Sequence, residues 1–398
     1  MFRFFDSTVT FSNDLETAKI QYNFFGIKLT RKIKKYPIFN KTLCNKAGFK
    51  TVLIARFSGV GDFLLFRPFI KSLKMSKKFA GYKIILITHP EYIELNKRFD
   101  GDVVDYYIPI TADAFKQDYK KVRSILKGAS FNAFIDAADG LNIGTRDSIV
   151  QTIKADDKYC NIGIFTYSAA RKNGVNIDGM FEKDFNHVYY NPDAPMFVKD
   201  ENKAFMEYVL EEKITDVNSF KTSPELSVDF KSKYVVISPF ARGKDRAYGF
   251  KNYAVVIDYI TGSLNIPVVI LGSKEEKKIS KSLVWLCKNK DKITDLTGKL
   301  SYFESLFYIK NASLLVANET GTVHMAQELG VKTVCISNGT YMGTFHPYPK
   351  EISSAVYVYP DDINEILEAH PEYVGVPFRS TFEKLPTQKV IEAINSLI

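Results

Sequence analysis

The 398 residues contain no uninterrupted apolar run of about 18, so no helix is expected to cross a bilayer. The amino terminus lacks a secretory core: Met1-Phe2-Arg3-Phe4-Phe5 is followed at once by Asp6. Cysteine is scarce, and Cys44, Cys160, Cys287 and Cys335 lie far apart without C-x-x-C spacing. That pattern argues against a zinc site or a disulfide framework. The four are expected as buried small apolar side chains in a reducing, cytoplasmic setting. No His or Cys cluster has metal-ligand spacing, so no metal is expected. Asp100-Gly101-Asp102 has the D-x-D form that holds a divalent cation in one class of sugar transferase. Here it precedes Val103-Val104-Asp105-Tyr106 and reads as a turn between elements. Low-complexity segments and short repeats are absent.

What is present is a soluble-type composition, 45% hydrophobic and 25% charged, in a chain long enough for two domains. The net charge of +9 is unevenly spread. Lys28, Arg31, Lys32, Lys34, Lys35 and Lys41 are interleaved with Ile27, Leu29, Ile33, Tyr36 and Ile38. Such a stretch suits peripheral contact with an anionic inner-membrane surface, and equally a solvated basic arm. Nucleic acid is not an expected partner, since no recognition motif accompanies the charge.

From residue 51 onward, β-rich apolar runs alternate with helical patterns. Strands are expected at 51–57, 83–88, 103–108 and 133–137, and helices at 62–78 and 114–127. A polar stretch at 217–233 reads as a linker. The rhythm then restarts, with strands at 234–238, 267–271, 313–317 and 332–337. Helices are expected at 250–261, 274–287, 301–310, 322–329 and 388–398. Each half is a βαβ unit with a parallel sheet covered on both faces. The expected domains are a basic extension at 1–50, a first α/β domain at 51–225 and a second at 226–398.

Three turns carry candidate chemistry. Ser58-Gly59-Val60-Gly61-Asp62 joins a strand to a helix, where glycines permit close approach and helix N–H groups are free. It is a poor dinucleotide fingerprint, because Leu64 holds the sixth position and Thr88-His89-Pro90 ends the second strand. An NAD enzyme is disfavoured on that ground. Asp62 sits where a carboxylate projects at the carboxyl ends of the strands, or simply complements the helix dipole. In the second half, Asn318-Glu319-Thr320-Gly321-Thr322-Val323-His324 offers a diphosphate cradle, with Glu319 placed to accept from sugar or ribose hydroxyls. The plainer reading is a cap by Thr320 or Thr322 and a structural His324. Arg242-Gly243-Lys244-Asp245-Arg246 follows the first strand of that half, where its cations can meet a leaving diphosphate or remain solvated.

Together these blocks resemble glycosyltransferase family 9, whose best-known members are the lipopolysaccharide heptosyltransferases. Gly61-Asp62 with Pro68 is similar to that family's opening turn. Leu296-Thr297-Gly298-Lys299-Leu300-Ser301 resembles its L-x-G-K-T-S stretch, and Glu319 to Ala326 its D-[ST]-G-x-x-H-x-A signature. The resemblance covers roughly residues 51–350. It implies a GT-B fold, two Rossmann-like domains facing across a cleft, with acceptor on the first and donor on the second. It also implies inversion at the anomeric carbon without a metal or cofactor. The donor implied is a nucleotide-sugar, ADP-heptose by resemblance alone. The acceptor implied is a lipopolysaccharide-core, lipid-linked or other glycan.

By this correspondence Asp62 is the general base, and Ser58, Gly59 and Gly61 form the acceptor-side turn. Thr320, Gly321, Thr322 and His324 bind the donor phosphates, with Glu319 alongside. Arg246, in the place of the family's K-x-W segment, contacts the phosphates, with Lys244 assisting. Glu319 replaces the usual Asp and Arg246 the usual Lys, which puts donor identity in question. The competing readings are a protein acceptor, a nucleotide-sugar-binding protein without turnover, and a GT-B epimerase acting without an acceptor.

Overall fold

The computed structural model describes residues 5–11, 17–24, 27–34, 39, 49–110, 124–137, 152–163, 166–167, 176–177, 179–191, 195–215, 233–378 and 380–398. Residues 1–50 had no assigned structure in the sequence reading. Within them β1 (Phe5–Phe11), β2 (Thr17–Phe24) and β3 (Ile27–Lys34) form a three-stranded antiparallel sheet. The basic residues at 28–34 therefore lie on a strand, while 35 and 41 fall outside the described residues.

The first α/β unit follows. Its elements are β4 (Thr51–Ala55), α1 (Val60–Met75), β5 (Lys83–Thr88), α2 (Pro90–Asp100), β6 (Tyr106–Pro109), β7 (Ser130–Asp136), β8 (Lys154–Ile162), β9 (His187–Tyr190) and α3 (Val198–Leu210). All neighbours in its sheet are parallel, in the order β6-β5-β4-β7-β8-β9. β4 is buried along its whole length, as expected for a strand covered on both faces.

The second unit has β10 (Val235–Ser238), α4 (Phe250–Asp258), β11 (Val268–Ile270), α5 (Lys277–Leu286), β12 (Ile293–Asp295), α6 (Tyr302–Lys310), β13 (Leu314–Asn318), α7 (Gly321–Leu329), β14 (Thr333–Ile336), β15 (Ala355–Val358), α8 (Ile363–Ala369) and α9 (Thr387–Asn395). Its parallel sheet has the order β12-β11-β10-β13-β14-β15. Numbered within each unit, both orders are 3-2-1-4-5-6, the doubly wound Rossmann order. In such sheets ligands bind outside the carboxyl ends of strands 1 and 4, where the winding reverses. Those ends are β4 and β7 in one unit, β10 and β13 in the other.

The expected strand at 103–108 begins later, at Tyr106, because Gly101–Val103 forms a 3-10 turn. No element is expected from the sequence at α2, β8, β9, α3, β12, β15 or α8. The expected linker at 217–233 and the 225/226 domain boundary lie outside the described residues, as does the expected helix at 114–127 up to residue 123. Among the described residues, no helix is long and apolar enough to cross a membrane. Cys160, Cys287 and Cys335 are buried as expected; Cys44 is not among the described residues.

Three large apolar layers form most of the core, beside a small cluster of Leu65, Phe197, Val198 and Tyr348. Two cover the outer faces of the sheets, one for each unit. The third is shared: Phe63, Phe66 and Phe69 of α1, Phe205 and Met206 of α3, and Val323 and Ala326 of α7 belong to one continuous cluster. The two units therefore meet through packed helices.

A buried ion pair anchors α1 to α2. Arg67 donates to the Asp100 carboxylate, and both side chains are out of solvent. Asn96 donates to the other carboxylate oxygen at 2.8 Å. The first acid of the D-x-D sequence is thus turned inward on Arg67 and Asn96. Burial still pushes the Asp100 carboxyl up to about 6, against the pull of Arg67. Removing one member leaves an uncompensated buried charge. Arg67→Met is therefore expected to cost about 3–5 kcal/mol in urea unfolding at neutral pH. Arg67→Met combined with Asp100→Leu should recover part of that loss; a single variant as stable as the parent would count against the pair.

Candidate functional site

The chain leaves β4 through Arg56, whose side chain is fully buried. Its guanidinium donates to the Ala137 carbonyl beyond β7 and, at 2.9 Å, to the Asp62 carbonyl. It also lies 5.4 Å from the Phe66 ring centroid. Arg56 therefore pins the turn 58–62 to the switch point of the first sheet. The Asp62 carboxylate stands 4.0 Å from the same guanidinium and keeps 20% of its side chain exposed. It leans over Gly59, where an added Cβ would lie 3.1 Å from its Oδ2. Nothing but the apolar run Val52 to Ala55 marks Arg56 in the sequence, and it was not singled out there.

In the second unit Asn318, at the end of β13, is buried and binds three partners. It accepts from Tyr248 N and Tyr253 Oη, each at 3.2 Å, and donates to the Pro239 carbonyl at 2.7 Å. The loops after β10 and β13 are thereby joined across the second switch point. Glu319 follows, buried, and accepts from Arg246 through its carboxylate and, at 3.0 Å, through its carbonyl. Burial pushes the Glu319 carboxyl up, but Arg246, His346 and His324 together hold it below the usual carboxylate range. Arg246 keeps 24% of its side chain exposed and stacks 5.1 Å from the Tyr341 ring centroid. Lys244 opens the same short 3-10 turn as Arg246.

Thr320 and Thr322 do not cap α7. Thr320 sits at the N-cap with no side-chain capping bond; its hydroxyl donates to the Asn318 carbonyl and lies 2.9 Å from that of Thr322. α1 is likewise uncapped by a side chain at Gly59. His324 is buried, with Nδ1 2.8 Å from the Tyr348 hydroxyl. Burial pushes its pKa down to about 4, so the imidazole is neutral near pH 7. Its Nε2 is 3.7 Å from Glu319, too long for a hydrogen bond, so the two are neighbours without an ion pair.

The two turns meet. A Cβ on Gly61 would lie 2.5 Å from Cδ2 of His324, and one on Gly321 would collide with Val60. The amino ends of α1 and α7 thus abut, each presenting first-turn N–H groups that no helical carbonyl can satisfy. Two helix dipoles and the Arg246 guanidinium then favour an anion at one place. The structure brings together Asp62, Gly61, Glu319, Thr320, Gly321, His324 and Arg246. Leu296 to Ser301 serves a supporting role: Gly298, at φ 65°, packs on the Lys274 backbone, and Ser301 caps α6 with Glu304.

Tyr341 was missed. It has φ 68° and lies within electrostatic reach of Asp62, Glu319, Arg246 and Asp245, in the loop after β14. Its only sequence signal is an aromatic residue between Gly339 and Gly343. Among the described residues, no group of three or more His, Cys, Asp or Glu side chains is placed to hold a metal.

Residues 191–360 match the model of glycosyltransferase family 9 (heptosyltransferase). No curated protein matches by sequence. Among solved structures, a family 9 glycosyl transferase from Veillonella parvula superposes with TM-score 0.63 at 15% identity, over 88% of this chain and 97% of the other. The E. coli heptosyltransferase WaaC, solved with ADP-2-deoxy-2-fluoro heptose, gives 0.62 at 14% identity, over 87% and 99%. E. coli ADP-heptose lipopolysaccharide heptosyltransferase II gives 0.60 at 13%, over 88% and 98%. The shared architecture is the GT-B fold.

The steric meeting of Gly61 with His324 is open to a double-mutant cycle. Gly61→Ala should lower stability by about 1–3 kcal/mol, because the new methyl overpacks a buried ring. His324→Ala in the same chain should relieve the clash, giving a favourable coupling of about 0.5–3 kcal/mol by thermal unfolding. Additive losses would show that the two turns are not in contact.

Proposed function

We propose that this family 9 type glycosyltransferase moves a heptose from ADP-heptose to a lipopolysaccharide-core or related glycan hydroxyl, with inversion and without a metal. The observation that carries the reading is the convergence of two uncapped helix ends beside Asp62 and Arg246. An ADP-linked donor is favoured by the ADP and ADP-heptose analogue with which the WaaC structures were solved.

In this reading the donor diphosphate rests on the amino end of α7, at Thr320, Gly321 and Thr322. Asp62 takes the proton of the acceptor hydroxyl as its oxygen attacks the anomeric carbon. The C–O bond to the diphosphate breaks on the opposite face, and its electron pair leaves as nucleoside diphosphate. The helix end and the exposed edge of Arg246 stabilise that developing charge, with Lys244 assisting from the same turn. Arg56 is a positioning residue: it holds the turn that carries Asp62 through the Asp62 carbonyl, with the carboxylate 4.0 Å from the guanidinium.

The two departures from the family pattern meet each other. The longer Glu319 and the forked Arg246 make a charge-assisted pair, so the substitutions compensate. Glu319 then serves first to orient Arg246, with a carboxylate oxygen available to donor hydroxyls when the guanidinium turns to phosphate. His324, buried and neutral, supports the turn from beneath and takes no proton near pH 7. The second reading, nucleotide-sugar binding without turnover, is favoured only by these same departures; a protein acceptor rests on the family resemblance alone.

Nucleotide binding is read by a thermal-shift panel of ADP, UDP, GDP, CDP and NAD, with EDTA and then with magnesium. ADP at about 100 times its dissociation constant should add roughly 2.7 kcal/mol, a rise of a few degrees, unchanged by EDTA. Stabilisation by NAD alone, or only with magnesium, would overturn the reading. For turnover, Asp62→Asn should lower kcat/KM by about 10²–10⁴-fold while leaving the ADP shift intact. An ADP shift in the parent protein without ADP release from ADP-heptose, in the presence of glycan or protein acceptors, would favour the non-catalytic alternative.

A further inference from the structure

The single tryptophan of the chain is not in the core. Trp285 is 74% exposed on α5, on the outer surface of the second unit. Beside it on the same helix Ile279 and Leu286 are exposed, and Val255 is exposed on the neighbouring α4. A large aromatic side chain left in water forgoes roughly 1.5–3 kcal/mol of burial, so a cluster of such residues calls for a covering surface.

The helix is built in two faces. Ser280, Leu283 and Cys287, at i, i+3 and i+7, are buried against the unit. Trp285 lies opposite, in helical register with Lys278 and Lys281, and Lys277 and Lys288 are exposed at its ends. None of these four lysines takes part in an ion pair among the described residues. The acid nearest in sequence, Asp291, lies beyond the helix end in the 3-10 turn Lys290–Lys292, between two lysines. Glu276 closes the capping box with Ser273 at the helix start, and Asp258 accepts from the Lys288 backbone N–H at 2.7 Å.

We propose that this face of α5, with Val255, docks peripherally on an anionic lipid surface. Trp285, Leu286 and Ile279 enter the headgroup layer, while Lys277, Lys278, Lys281 and Lys288 pair with lipid phosphates. Trp285 between Lys278 and Lys281, with Ile279 and Leu286 on one side of them, combines the aromatic, aliphatic and basic groups of an interfacial helix. Each lysine near such a surface adds to the attraction, within a Debye length. The cations here are all lysine and are spread over a convex ridge, which suits a lipid surface better than a groove-bound nucleic acid. The assignment differs from the basic stretch at 28–34, and it holds whichever sugar the cleft transfers.

Because Trp285 is the only tryptophan, its emission reads this face alone. The full chain is mixed with phosphatidylcholine vesicles, with and without phosphatidylglycerol, and sedimentation is measured alongside. Anionic vesicles should shift Trp285 emission to the blue and, with brominated acyl chains, quench it. Neutral vesicles should do neither, and the effect should fade as salt shortens the Debye length from about 10 Å at 0.1 M to about 3 Å at 1 M. Lys278→Glu with Lys281→Glu should lower the vesicle partition coefficient on the order of tenfold or more, with melting temperature and ADP shift unchanged. Sedimentation with vesicles at unchanged emission would place membrane contact elsewhere and overturn the proposal. So would an emission shift that follows protein concentration without lipid, marking a second copy, or one produced by RNA and not by vesicles. Binding that charge reversal leaves intact would overturn it as well.

Discussion

Everything at the candidate site depends on one steric constraint: the first turns of α1 and α7 meet with no room for a side chain between them. Gly61 lies against the His324 ring, and Gly321 lies against Val60 and the Gly61 backbone. A methyl at either place would push the units apart, and the separation would act directly on the site. The Asp62 carboxylate follows Gly61 directly in its turn, and Glu319, which holds Arg246, lies in the turn that Gly321 closes. The close approach also puts two positive helix ends side by side, which is unfavourable until a negative charge is present. The arrangement is tolerated because the apolar layer behind it is continuous. Phe63 and Phe66 of α1 pack in the same cluster as Val323 and Ala326 of α7.

Buried charge is handled by a common device on both sides of the cleft. Arg56 is spread over two carbonyls, a phenyl face and the Asp62 carboxylate, so its desolvation is shared among several partners. Arg246 is likewise shared by a carbonyl, the Glu319 carboxylate and the Tyr341 ring. In each case a guanidinium at the end of a first or fourth strand position is oriented before any ligand arrives. Preorganised charge of this kind does not have to be reoriented as the transition state forms, which is where electrostatic catalysis gains most. A lysine at either position would hold one partner firmly and lose the others.

Much of this was legible in the sequence because periodicity and turn chemistry are local. The alternation of apolar runs with helical patterns places β10, β11, α6, β13, α7 and β14 of the second unit within a residue or two. The glycines at 59, 61 and 321 marked the turns before any fold was known. What was not legible is long-range. Tyr341 lies beyond β14, and only the winding of the sheet brings it over Arg246. Arg56 sits in an apolar run, and its partner carbonyl at 137 follows another strand. The cap reading for Thr320 and Thr322 failed because their hydroxyls engage Asn318 and each other. β8 opens on the polar, partly exposed run Lys154 to Lys158, and β9 is only four half-buried residues, so neither carries a strong apolar signature.

α3 shows why the division between the units is hard to draw from sequence. It follows the first sheet in the chain and packs in the layer that includes α1. Yet its amino end is bonded to the second unit. Val198 N donates to the Thr344 carbonyl at 2.9 Å, Lys199 pairs with Glu328 of α7 at 2.6 Å, and the Phe197 ring meets Tyr348 edge-on at 4.7 Å. Tyr348 is also the partner of His324, so this contact reaches the floor of the site in two steps. A wide opening of the cleft would have to break the Lys199–Glu328 pair, strand a buried carboxylate and expose Phe197 together. Those costs reinforce one another, since all three contacts lie within one short segment. Motion of the units is therefore expected as small sliding of α1 and α3 past α7, the shear type of closure, with the packed layer kept intact.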